Sequence, residues 1–263
     1  MQTHGPKLAD GRTAEVFAWG DDQILKLYRE GWKRRTVEFE YRQALASQQT
    51  GYRVPQVEKV IDLDGRYGII YQRVEGDTML AVLRQKLYRF PYFARQMADL
   101  HAEMHTKTAR DLEPVHERLA GKISAVADFT DEEKHALHTR LFQLPQDEKL
   151  LHGDFHPDNI LLTPNGPVII DWIDATLGHP LADVARTVVI FRFGVPPEEK
   201  MIRLLIGGMT RIYLRRYFRQ SPYTQAELDA WLLVVAAGRL SEGITHEREP
   251  LLAFVRARLS VPR

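Results

Sequence analysis

The chain has 263 residues, 44% hydrophobic and 27% charged, with a formal net charge of +1 and no cysteine. That length can bury a substantial core, in one domain or two. The absence of cysteine excludes disulfides and thiolate chemistry, and the near-neutral charge gives no strong attraction to nucleic acid or to an anionic membrane. No apolar run reaches the roughly 18 residues of a membrane span, and the opening residues MQTHGPKLADGRT carry no apolar signal core. A soluble, cytoplasmic protein is the expectation.

The first 74 residues read as a strand-rich lobe. Gly11 leads into a strand that runs to Gly20, Asp21-Asp22 turn the chain, and Gln23–Tyr28 form a second strand. Alternation puts Leu25 and Leu27 on one face and Ile24, Lys26 and Tyr28 on the other. Lys26 is thus a lone cation among apolar neighbours; taken alone, it reads as an edge-strand lysine kept for solubility. Residues 33–50 look helical and stop at Gly51. Val37, Glu40, Tyr41, Ala44 and Leu45 share one helical face, so Glu40 points inward, placed to meet Lys26. Glu38, about 160° round the helix, is the alternative, and a surface pair with Arg34 or Arg42 is the plainer reading. Residues 57–62 and 67–74 are strands joined by Asp64-Gly65, a strong hairpin signal. The pattern breaks at Gln72-Arg73-Val74-Glu75-Gly76-Asp77, which places a hinge there and divides the chain into residues 1–74 and 75–263.

Beyond the hinge the chain reads as mostly helical, with Asp77 or Thr78 capping the first helix. Phe93, Met97, Leu100 and Met104 form a core stripe. His101 and His105 lie one turn apart, a spacing that suits zinc, but no H-E-x-x-H is formed and no third ligand is evident. Residues 110–149 are helix-forming and charged, with Asp131-Glu132-Glu133 suited to a helix start; they form a helical insertion with no assigned role.

The stretch LLHGDFHPDNILLTPNGPVIIDWID, residues 150–174, is the densest in chemistry. Ile160-Leu161-Leu162 and Val168-Ile169-Ile170 read as buried strands turned by Pro164-Asn165-Gly166. The hairpin brings Asp154 and Asn159, before the first strand, to the same rim as Asp171 at the end of the second. Two carboxylates and an amide on one rim suit Mg²⁺, which takes hard oxygen ligands and leaves room for substrate phosphates. His152-x-Asp154-x4-Asn159 is the H-x-D-x4-N of a kinase catalytic loop, with Asp171 where a metal-binding Asp belongs. Here the chain resembles the aminoglycoside phosphotransferase and choline kinase superfamily, in which the loop reads H-G-D-x-x-x-x-N and the metal Asp sits in I-D-W, as Ile170-Asp171-Trp172 does. Gly76-Asp77-Thr78-Met79 and Gly178–Arg186 are similar to the family's G-x-T-[ML] and G-x-P-x-x-D-x-A-R.

The resemblance implies an α+β, bilobal, protein-kinase-like fold with a small β-rich N-lobe and a larger helical C-lobe. It implies transfer of the γ-phosphoryl group of a Mg²⁺-nucleotide, ATP or GTP, to a hydroxyl of a small molecule. Asp154 would orient the acceptor and take its proton; His156 stands where protein kinases carry a lysine that steadies the transferring phosphate. Asn159 and Asp171 would hold Mg²⁺. Lys26, fixed by Glu40, would grip the phosphates, with Gly11 and Thr13 in the covering loop and the Gln72–Val74 backbone at a purine edge. His152 would shape the loop and Asp183 hold its backbone. An aminoglycoside-resistance enzyme and a catalytically silent nucleotide-binding regulator are the alternatives. Residues 176–263 hold 13 Lys and Arg against 8 Asp and Glu, the wrong sign for a polycationic acceptor, whose ammonium groups need carboxylates once desolvated.

Overall fold

The computed structural model describes residues 4–11 and 13–260; Arg12, inside the expected glycine-led strand, lies outside them. The N-terminal part is a five-stranded antiparallel sheet in the order β1-β2-β3-β5-β4. Its strands are β1 (Lys7–Asp10), β2 (Ala14–Trp19), β3 (Gln23–Tyr28), β4 (Val57–Leu63) and β5 (Arg66–Gln72), and α1 (Arg34–Gln49) follows β3. The two faces sort as alternation predicts. Leu25 and Leu27 pack with Phe17, Trp19 and Ile70, while Tyr28, Ala14, Val57 and Ile69 pack with Val37 and Ala44 of α1. Lys26 therefore faces the helix. The β4–β5 turn has Asp64 at φ +52° and Gly65 at φ +77°, both left-handed, as a two-residue turn matched to the twist of its strands requires. β1 was not expected: all four of its residues are exposed, so no apolar periodicity marks it; its pairing with β2 and the contact of Asp10 with Arg29 hold it.

The rest is mainly helical: α2 (Met79–Gln85), α3 (Phe90–Met104), α4 (Val115–Ala125), α5 (Asp131–Phe142), α6 (Pro180–Phe193), α7 (Lys200–Phe218), α8 (Gln225–Arg239) and α9 (Thr245–Leu259). Thr78 caps α2 by accepting from the Ala81 N–H. Thr130 and Glu133 make a reciprocal capping box at α5, whose first turn is the acidic triplet. The α3 stripe is buried at Phe93, Met97 and Met104 in one large core with α6 and α8. α9 was not expected, because Pro250 lies inside it and its first turns are charged; Leu251, Phe254 and Val255 bury one side of it. Gly238 lets α8 approach α4 closely: a Cβ there would stand 3.0 Å from Leu119 Cδ2 and 3.6 Å from Lys122 Cβ.

Two small sheets frame the loop at 152–159. β6 (Asp77–Thr78), β8 (Ile160–Thr163) and β9 (Gly166–Ile169) form one, and β7 (Lys149–Leu151) with β10 (Thr176–Gly178) the other. Among the described residues, no helix is long and apolar enough to cross a membrane.

Candidate active site

The loop between β7 and β8 is shaped by glycine and histidine. Gly153 has φ +79°, and a Cβ there would lie 2.3 Å from the Asp174 carbonyl oxygen, so only glycine fits. His152 is fully buried; its Nε2 donates to the Ile170 carbonyl at 3.0 Å and its Nδ1 accepts from the Asp154 N–H at 3.1 Å. Those partners fix the tautomer and tie the loop to the far strand of the hairpin. They leave the Asp154 side chain at the rim, 29% exposed. His156 Nε2 stands 3.2 Å from Asp154 Oδ2, while its Nδ1 accepts from the Asp158 N–H. Burial alone would raise the Asp154 carboxyl; the hydrogen bond from His156 and the guanidinium of Arg186 outweigh it and hold the group well below the usual carboxylate range.

The face of α6 toward the loop repeats at i, i+3 and i+4. Asp183 accepts the His152 N–H at 2.6 Å and the Gly153 N–H at 2.9 Å. Arg186 Nε donates to the Gly153 carbonyl at 2.9 Å, and Thr187 Oγ1 to the Phe155 carbonyl at 2.9 Å. Sequence reading singled out Asp183 alone, although Arg186 and Thr187 share its helical face. Behind Asp183, His101 Nε2 donates to Oδ2 at 3.0 Å and His105 Nε2 lies 3.5 Å from it. Tyr213 and Tyr217 hydroxyls meet the Nδ1 atoms of His101 and His105 at 2.6 and 2.7 Å. Asp183 is thus the third group beside the histidine pair, which spacing did not reveal. The same Oδ2 already accepts a backbone N–H and an imidazole N–H, which makes the cluster a hydrogen-bonded anchor sealed in the core.

From the sheet, Lys26 Nζ reaches Asp171: it lies 2.8 Å from Glu40 Oε1 and 3.0 Å from Asp171 Oδ1. Glu38 instead meets Arg34 at 2.8 Å. Glu40 is 1% exposed and also accepts from the hydroxyls of Tyr28 and Tyr71. Burial works against the Lys26 charge, but Glu40 and Asp171 outweigh it and push the ammonium above its ordinary range. Glu40 itself is raised by burial and by the nearby Asp171 carboxylate. Asp171 holds φ +64°, a left-handed backbone that Asp tolerates better than most residues and that is characteristic of functional positions. Asn159 turns its amide nitrogen to the Asp154 carbonyl at 2.9 Å, which leaves its amide oxygen free to ligate a cation as a neutral group. The Ile170 N–H reaches the Asn159 carbonyl at 3.0 Å, so the two donor residues stand at one end of the hairpin. One amide oxygen and one carboxylate fit Mg²⁺, which is commonly held by one or two carboxylates together with substrate phosphates.

The Gly11 N–H is taken up by the Ala14 carbonyl at 2.9 Å, and the Thr13 carbonyl accepts from the Arg29 N–H at 3.0 Å. The Gln72 N–H is taken by the Gln56 carbonyl at 2.7 Å; Val74 lies two residues on, half-buried, in the connection to β6.

A cleft, part of it open to solvent, adjoins Gly153 and Arg186. Its walls are α4, α6 and α8, so the insertion with no role in the sequence supplies one of them. Arg118, Lys122, Arg186 and Arg239 line it together with Asp174, and Glu242 touches Lys122, Arg186 and Arg239 at 3.2, 2.8 and 2.6 Å. Sequence reading missed this set, since its members come from separate helices and no local spacing joins them.

An antiparallel sheet carrying a lysine–glutamate pair, over a helical part whose H-x-D-x4-N loop meets an Asp-ended hairpin, defines a protein-kinase-like phosphotransferase fold. The model of the phosphotransferase enzyme family matches residues 4–213, and the chain belongs to that family. A choline/ethanolamine kinase family protein from Mesorhizobium loti superposes with a TM-score of 0.64 at 16% identity, over 98% of this chain and 89% of that one. A thermostable mutant of aminoglycoside phosphotransferase APH(4)-Ia, in complex with AMP-PNP and hygromycin B, gives 0.63 at 15% identity, over 97% and 90%. Acyl-CoA dehydrogenase family member 11 of Pongo abelii is 35% identical over 81 residues, 26% of this chain. That match spans only about a tenth of the relative's length.

Proposed function

We propose that this phosphotransferase moves the γ-phosphoryl group of Mg²⁺-ATP or Mg²⁺-GTP to a hydroxyl of a small molecule other than an aminoglycoside. The observation that carries the reading is the Lys26 ammonium held between Glu40 and Asp171, across from an ionised Asp154. Asn159 and Asp171 would hold Mg²⁺, which supplies charge neutralisation on the phosphates. Lys26 binds those phosphates with Glu40 fixing its reach. The Thr13 segment with Gly11 covers them, and the Val74 backbone beyond Gln72 receives the purine. The AMP-PNP bound by the hygromycin relative supports an adenine nucleotide.

Asp154 orients the acceptor hydroxyl toward the γ-phosphorus. The new bond joins acceptor oxygen to phosphorus, the bond to the nucleoside diphosphate oxygen breaks, and the hydroxyl proton passes to Asp154. A carboxylate held so low in pKa is a weak base, so orientation dominates and the proton moves late. Such behaviour suits a loose phosphoryl transition state, where positioning and charge stabilisation do most of the work. His156 holds Asp154 in place, and His152 and Asp183 hold the loop.

The test is turnover of Mg²⁺-ATP and Mg²⁺-GTP with a panel of hydroxylated metabolites and aminoglycosides, products read by mass. Saturable formation of a phosphate ester, lost in Asp171→Ala together with nucleotide affinity, is expected. Nucleotide binding without any turnover would favour a silent regulator, and efficient phosphorylation of kanamycin or streptomycin an aminoglycoside-resistance enzyme.

A further inference from the structure

The cleft beside Asp154 holds cationic donors that its own carboxylates do not use up. Arg239 is chelated by both Glu247 oxygens at 2.7 Å and also meets Glu242. Arg186 is engaged by the Gly153 carbonyl and Glu242. Arg118 differs. Its Nε reaches Glu113 and its Nη1 lies 3.5 Å from Asp174, but its Nη2 is buried and has no hydrogen-bond partner among the described residues. Lys122, one turn along α4, reaches Glu242 at 3.2 Å and stands 3.8 Å from Asp174. A buried donor on a charged group that makes no hydrogen bond is uncommon and calls for a cause.

We infer that the hydroxyl acceptor is an anion: a hydroxylated small molecule whose carboxylate or phosphate is held by Arg118 and Lys122 in this cleft. The inference rests on the phosphotransferase reading of Asp154. Arg186 fixes the geometry, because it lines the cleft and its Nη2 stands 3.8 Å from Asp154 Oδ1; one small molecule spans from the anion site to the reacting carboxylate. A cationic acceptor would have to be held by Asp174 and Glu242. Glu242, however, is already surrounded by Arg186, Arg239 and Lys122, so an ammonium there meets three like charges for one carboxylate. An anion gives the buried Arg118 Nη2 the acceptor it lacks among the described residues, which an ammonium, a donor only, cannot do. The product is a phosphate ester that keeps the original anion.

The experiment measures kcat/KM with Mg²⁺-ATP for glycerate and glycerol 3-phosphate beside methyl glycerate, glycerol, choline and kanamycin. The two anions distinguish a carboxylate from a phosphate. The better anion should exceed its neutral counterpart by about a hundredfold, as expected when a buried charged donor is left without a partner. Arg118→Leu and Lys122→Met should erase that preference, mainly through KM, with Arg118→Lys restoring part of it. Equal or better use of the neutral or cationic compounds overturns the inference. Calorimetric binding of glycerate and glycerol 3-phosphate to the nucleotide-free protein separates the two claims. Anion binding that needs Arg118, without turnover of any compound, rejects the phosphotransferase reading and leaves the anion site standing. No anion binding together with no turnover of either anion rejects the anion site.

Discussion

Asp154 and Asp183 are carboxylates that serve the same loop, and both are held below the ordinary carboxylate range. Asp183 is 2% exposed, and two backbone N–H groups and an imidazole saturate its oxygens. Asp154 is 29% exposed at its side chain, with Oδ2 taken by His156 and Asn159 and Oδ1 approached, among the described residues, only by Arg186 at 3.8 Å. A saturated, sealed carboxylate holds structure, because removing it strands every donor it served. A half-satisfied carboxylate at a rim keeps an oxygen for a substrate. Depressed pKa alone does not tell the two apart; the count of fixed donors and the exposure do.

The strongest test of that contrast is Asp183→Ala. It leaves two buried N–H groups and His101 unpartnered and should cost about 3–5 kcal/mol, the range for breaking a buried charged network, with activity lost alongside. Denaturant melts read the stability, and an unchanged midpoint would place Asp183 with the rim instead. Asp154→Asn should do the reverse. Turnover is expected to fall by about 10²–10⁴-fold, the usual share of a positioned acid or base, while the melt stays close to that of the unsubstituted chain.

Acid should find the anchor before the rim. Burial lowers His101, and lowers His105 to about 4 from its ordinary 6.5. The unfolded chain therefore gains these protons near pH 6.5 while the folded chain refuses them, so stability is full above that pH and falls as pH drops toward 4. The slope is at most about 1.4 kcal/mol per pH unit for each histidine. Asp183, depressed in the fold, adds a loss of the same sign below the ordinary carboxylate range. Melts at pH 7.5, 6 and 5 should show the decline, and His105→Gln should make it shallower; a flat profile would mean the histidines are not held neutral. The smallest effect concerns Lys26 and its partner. Lys26→Met and Glu40→Gln should be non-additive in nucleotide affinity by about 0.5–3 kcal/mol, whereas Glu38→Gln combined with Lys26→Met should add.

The sequence carried the parts whose chemistry is local. Strand alternation placed Lys26 on the α1 face, helical spacing chose Glu40 over Glu38, and the H-x-D-x4-N spacing put Asp154, Asn159 and Asp171 at one end of a hairpin. The buried anchor was only half legible: His101 and His105 were visible at i, i+4, yet Asp183 sits 82 residues beyond His101, and no spacing rule spans that distance. The cleft was not legible at all, because Arg118, Lys122, Arg186 and Arg239 meet only once α4, α6 and α8 have packed. β1 and α9 escaped for a different reason. The first buries no side chain and so has no periodicity, and the second hides its apolar stripe behind Pro250 and a run of charges.

The grip of α6 on the catalytic loop also bears on how such a chain can change over generations. Asp183, Arg186 and Thr187 clasp the loop from one helix, while the cleft draws most of its other contacts from α4 and α8. In the proposed reaction, the reacting geometry and the choice of acceptor are therefore written on largely separate segments. Substitutions on α4 and α8 can redraw the cleft and leave the clasp untouched, so a new specificity can be reached in single steps without passing through an inactive ancestor. Asp183 and Arg186 belong to both, and they are the positions where drift in one property is felt at once in the other.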